Sequence, residues 1–104
     1  MNQQPVQAKQ IQVQLDEKVG QGIYANLALI SHSGAEFVID FTRMLPGMPK
    51  AVVQARIILT PQHAKGLLKA LDDNIKKFED RFGEIKTTDS KQGEKNFGFQ
   101  TGGE

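Results

Sequence analysis

The chain has 104 residues, 38% of them hydrophobic, with 13 Lys and Arg against 12 Asp and Glu for a formal charge of +1, and no cysteine. That length holds one domain at most, with a modest core. With near-neutral charge nothing resembles the strongly basic face of a protein that neutralises many phosphates, so nucleic acid is not the default partner, and the missing cysteines exclude disulfides, thiolate metal sites and cysteine nucleophiles.

Residues 1–9 are rich in Gln with one Pro, and read as a flexible N-terminal arm. No positive n-region or apolar h-region opens the chain, and no run approaches the roughly 18 apolar residues of a membrane span, so the expectation is a cytoplasmic protein. From Gln10, Ile11, Val13 and Leu15 alternate with glutamines, the period-2 pattern of an edge strand with one wet face. Asp16 to Gly22 carries Gly20 and Gly22 and reads as a loop.

Ile23 to His32 forms the second predicted strand, with Ile23, Ala25, Leu27 and Leu29 on one face and Tyr24, Asn26, Ala28 and Ile30 on the other. Ser33-Gly34 supplies a tight turn in which glycine accepts positive φ, leading into a third strand over Glu36 to Met44. Pro46-Gly47 suits the central positions of a type II turn, and Val52 to Leu59 returns as the fourth strand.

Thr60 is a favourable N-cap and Pro61 a favourable first helical residue, since proline lacks an N–H that would go unpaired there. Ala64, Leu67, Leu68, Leu71, Ile75, Phe78 and Phe82 follow at steps of three and four and form one apolar stripe, with Gly83 placed as an αL cap. Opposite charges at i,i+4, such as Lys69 with Asp73, Asp72 with Lys76 and Asp73 with Lys77, mark the solvated face. The expected fold is α+β: a four-stranded antiparallel meander followed by one long helix packed on the sheet (ββββα), over residues 10–85. Residues 86–104 are polar apart from Phe97 and Phe99 and read as a disordered tail, in which those two aromatics are the raw material of a short docking peptide.

One helix covers one sheet face. The other is expected to carry Tyr24, Ala28, Ile30, Val38, Val52 and Ile58, more apolar surface than soluble monomers tolerate, so a homo-oligomer, in first place a dimer, is expected.

No set of residues demands a reaction. His32 and His63 lie on different elements and are too few for an all-histidine metal site; His63, in the first helical turn, is read as a capping and packing residue. His32, Ser33 and Asp40 make no nucleophile set, because a strand separates Asp40 from the turn and no G-x-S-x-G motif is present. Gly20-x-Gly22 precedes a strand and not a helix, so it offers no phosphate-binding helix N-terminus. The chain is read as non-enzymatic, without cofactor or metal.

Partner binding is the expected activity, and the Pro-rich hairpin is where we place it. Leu45 and Met48 stand at the tip of a rigid turn, a form suited to entering a partner's pocket. Arg43, Lys50 and Arg56 lie near it as a basic surround, with Tyr24 available for stacking.

Tyr24-Ala25-Asn26, Glu36-Phe37 with Asp40-Phe41, Leu45-Pro46-Gly47, Arg56, and Thr60-Pro61-Gln62-His63-Ala64-Lys65 with Leu67-Leu68 together resemble the small prokaryotic domain-of-unknown-function family 3467, over roughly Ile11 to Ile85. The resemblance implies no catalytic residue. It suggests a transcription-associated setting, with RNA polymerase as a candidate partner, because genes resembling this one lie near those for the large polymerase subunits in some lineages. Gly66 departs from the longer side chain expected after Lys65. By topology alone the expected ββββα order is also similar to single-strand-binding coactivator and PUR-type modules, and to the strand-rich core of the SecB chaperone. Three readings follow: a protein-binding adaptor, a single-stranded nucleic-acid binder using Tyr24, Arg43 and Arg56, and a chaperone-like surface for unfolded chains.

Overall fold

A computed structural model describes residues 11–87 and 99–101. Strand β1 (Leu27–His32), strand β2 (Phe37–Arg43) and strand β3 (Val52–Leu59) form an antiparallel sheet with β2 in the middle. A short helix α1 (Glu17–Gly20) precedes them and a 22-residue helix α2 (Pro61–Phe82) follows. The class is α+β as expected, with three antiparallel strands where four were predicted. A three-residue strand β4 (Phe99–Thr101) lies in parallel beside Ala28–Ile30, on the edge of β1 away from β2. The N-terminal arm, Phe97 and most of the tail lie outside the described residues.

The predicted first strand does not form. Ile11, Val13 and Leu15 stand in irregular chain, exposed, with Val13 at 87%. Alternation gives a segment two faces but no partner, and the β1 edge that a meander would use is occupied by β4. The predicted second strand is likewise shortened, beginning at Leu27 and not at Ile23. Leu27 pairs with Thr42, so extending the register backwards sets Ile23 opposite Pro46, which has no N–H to donate, and Tyr24 opposite a chain already turning.

The two turns differ in how they are made. Ser33 accepts the N–H of Ala35 (3.1 Å) and of Glu36 (3.3 Å) on its Oγ, and its own N–H reaches Glu36 O at 2.9 Å, so the hydroxyl closes the turn without the positive φ expected of Gly34. At Pro46-Gly47 the type II expectation is met: Gly47 has φ 85° and Met48 N–H donates to Leu45 O at 3.1 Å.

The register sorts the faces differently from the sequence reading. Ala28 faces Phe41 and Ala55; Ile30 faces Ile39 and Ile57; His32 faces Phe37 and Leu59, and these rows share one apolar face. His32 stacks on Phe37 with ring centroids 5.3 Å apart. Ala28 and Ile30 therefore belong with Ile39 and Phe41, not with Val38 and Ile58 as predicted. The opposite face carries Leu27, Leu29, Val38, Asp40, Thr42, Arg56 and Ile58, and a bulge in β3 at the Phe41/Thr42 step shifts its last pairs. Among the described residues the core is small: Leu27, Ala28 and Ile39 are buried, with Thr42, whose hydroxyl donates to Asp40 O at 3.0 Å.

Helix α2 starts and stops where the sequence places it. Thr60 Oγ1 accepts His63 N–H at 3.1 Å and Pro61 opens the helix. Gly83 ends it at φ 105°, ψ 168°, outside the αL basin expected, and its N–H donates to Glu79 O at 2.9 Å. Of the i,i+4 ion pairs, Asp72–Lys76 closes at 3.0 Å. The predicted packing of this helix on the sheet is not observed. None of its residues is buried, and the stripe from Leu67 to Phe82 is open, Leu68 at 65% and Phe82 at 67%. The reason is geometric: Thr60 alone links β3 to α2, and so short a link carries the helix away from the sheet edge without folding it back across a face.

Candidate partner-binding surface

The segment between β2 and β3 is held from below by Asn26. Its amide nitrogen donates to Met44 O at 2.9 Å while its amide oxygen accepts Met44 N–H at 3.0 Å. Its own N–H donates to Thr42 O at 3.0 Å. A side-chain amide thus stands in for one more peptide of β1 and extends the ladder by a step before that strand begins. Above that clamp, the Pro46-Gly47 turn projects Leu45, Met48, Pro49 and Lys50, all exposed. The structure therefore gathers Leu45, Met48 and Lys50 in one loop, with Arg43 at its base.

Arg43 ends β2 half-buried, and its Nε is enclosed without a hydrogen-bond partner among the described residues. Tyr24, 61% exposed, lies outside the strands. Arg56 is placed otherwise than the hairpin reading implied. It lies opposite Asp40 across β2 and β3, Nε to Oδ1 at 2.7 Å and Nη2 to Oδ2 at 2.8 Å, a bidentate pair on the mixed face of the sheet. Its charge is engaged within the chain.

That pair sets a pH dependence. The hydrogen bond from Arg56, helped by its charge, holds the Asp40 carboxyl below its ordinary value against the opposing effect of burial, and Asp40 in turn raises Arg56. A carboxylate depressed in the folded state contributes stability that is complete above its unfolded value, about 3.9, and is lost as pH falls through the lower folded value. Urea midpoints of the wild type and Asp40→Asn should therefore differ most at neutral pH and converge below about pH 4. A gap that persists unchanged at pH 2.5 would show that the ion pair is not its source.

Sequence reasoning missed Asn26 and the Asp40–Arg56 pair. A signal for each was present: an Asn at a strand entrance, and opposite charges on adjacent strands. Only the register brings either to its partner. A shallow groove of about 500 Å³ lies along the last turns of α2 between Asn74, Ile75, Phe78, Arg81, Phe82 and Ile85. Among the described residues no three His, Asp or Glu side chains cluster as metal ligands, and no helix is long and apolar enough to cross a membrane.

A family model described as a protein of unknown function, DUF3467, matches residues 1–87. No curated protein and no solved structure matches the chain.

Proposed function

We propose that the chain, which belongs to the DUF3467 family, is a non-enzymatic adaptor that binds another protein through the Leu45–Lys50 turn. The observation that carries this reading is the clamped turn itself: Leu45 and Met48 are exposed on a loop whose shape is fixed by Pro46, by Gly47 at positive φ and by the Asn26–Met44 hydrogen bonds. A loop ordered before it binds loses little entropy on docking, so its apolar tips keep most of their burial energy. Arg43 at the base and Lys50 at the far side favour a partner whose apolar pocket has an acidic rim. The resemblance suggests the transcription machinery as the setting. The nucleic-acid reading has less support, since Arg56 is paired with Asp40 and Tyr24 stands apart from the sheet.

The test is capture of partners from native cells with the tagged wild type and with Leu45→Ser/Met48→Ser, each with and without nuclease. Loss of a stoichiometric protein partner by roughly 30-fold or more is expected for two apolar anchors, with the circular dichroism spectrum unchanged. Equal capture by both chains, or recovery that depends on nucleic acid, would reject the turn as the binding element.

A further inference from the structure

The apolar stripe of α2 has a finer order than amphipathicity requires. Ala64, Leu68, Leu71, Ile75, Phe78, Phe82 and Ile85 follow one another at steps of 4, 3, 4, 3, 4 and 3. Up to Phe82, the last helical residue, that is the a/d seam of a coiled coil; Ile85 lies beyond the Gly83 break, outside the helix. The seam faces no part of its own sheet. We infer that it pairs with the same helix of a second copy of this chain, antiparallel, about a two-fold axis near Asp73.

Orientation and register follow from what each arrangement sets opposite what. Antiparallel packing about residue 73 places the smallest seam residue, Ala64, against Phe82, with Leu68 against Phe78 and Leu71 against Ile75, so each of the outer layers joins a smaller side chain to an aromatic one. The flanking e positions then bring Lys65 of one copy to Glu79 of the other, twice by symmetry. The remaining e residue, Asp72, meets its own copy, and its charge is already compensated by Lys76 at 3.0 Å. Along the other flank Asn74 meets Asn74, a pair able to exchange hydrogen bonds. A parallel pair does worse in its layers and its charges: Phe82 meets Phe82, Ala64 meets Ala64, and the flanks set Asn74 against Glu79 with no ion pair, while Leu67 meets a charged residue in either orientation, Asp72 here and Arg81 in the antiparallel pair.

The surface available is adequate. From the exposures of Leu67, Leu68, Leu71, Ile75, Phe78 and Phe82, about 600 Å² of apolar area per copy lies open, against the roughly 800 Å² of all kinds that a specific interface buries per partner. In proteins most helical stability comes from packing of the amphipathic face, which the second copy would supply here. The inference is independent of the turn reading, since the Leu45–Lys50 loop lies at the opposite end of β3 from the helix.

Two measurements on the full chain test it. Sedimentation should give a dimer, weakened about 10- to 100-fold by Lys65→Glu, which sets two carboxylates face to face at both ends. Adding Glu79→Lys should restore it; Glu79→Lys alone also removes the bond from Ile85 N–H to Glu79 Oε2 (2.9 Å), a loss common to both chains carrying that change. Because the chain has no cysteine, Gln62→Cys takes a single spin label. Labels on antiparallel helices should lie about 30–40 Å apart, and on parallel ones under about 20 Å. A monomer at tens of micromolar, a short label distance, or a dimer indifferent to the charges at 65 and 79 would each overturn the inference, the last pointing to pairing through the open edge of β3.

Discussion

Ile39→Ala is expected to cost about 2–4 kcal/mol of stability, the range for truncating a buried isoleucine where neighbours relax only in part. Ile39 is 7% exposed, sits on the middle strand, and is flanked in register by Ile30 on β1 and Ile57 on β3. With so few residues fully buried, no other part of the sheet can absorb the loss. Small domains hold roughly 5–10 kcal/mol in all, so the variant should show a much lower urea midpoint and a substantial unfolded fraction on warming. Val53→Ala, on the same sheet but 49% exposed, is the control and should change stability by under about 1 kcal/mol. If the two variants behave alike, the Ile30–Ile39–Ile57 row is not the core of the protein.

Asn26→Ala is expected to be nearly as damaging, in a different way. It deletes both hydrogen bonds to Met44 and leaves the peptide before Leu45 to water, at about 1–2 kcal/mol for two exposed bonds. Asn26→Asp separates the two halves of the clamp: its carboxylate still accepts Met44 N–H, but has no proton for Met44 O and faces it as a second acceptor. The order of stability should be wild type, then Asp, then Ala. The larger effect falls on order in the loop, so amide hydrogen exchange at Met44 and Met48 should accelerate well beyond the change in global stability. Exchange that follows global unfolding alone would mean that Pro46 and Gly47 hold the turn without help.

The sequence makes some of this legible and some not, and the division is physical. Helix α2 is read to the residue because its signals are local: a Thr cap, a Pro at the first turn, a periodic stripe and a closing Gly. The Pro46-Gly47 turn is local too. Ile11 to Leu15 misleads because alternation records which side chains would share a face, whereas a strand exists only if another strand is there to bond it. The sorting of Ala28 and Ile30 onto the Ile39 face needed the register, and register is a relation between segments. The helix stripe was visible, but a stripe states that something apolar must cover it and leaves open whether that is the chain's own sheet. Of the proposed contact residues, Leu45, Met48 and Lys50 come together because they are neighbours in one turn. Arg56 is drawn off by Asp40, 16 positions earlier in the chain.

Thr60 joins β3 to α2 without slack, and in the proposed helix pair this short joint would set how far apart the two proposed binding turns are held. In the proposed antiparallel pair of helices about 33 Å long, each sheet would sit near one end of the rod, so the two Leu45 turns would belong to opposite ends. Two sites so separated would not meet on one compact target. With both proposals in force they would act as a bivalent bracket: on a target that repeats its docking site at matching spacing, the first contact would raise the effective concentration of the second into the millimolar range. A single isolated site would meet only the affinity of one turn.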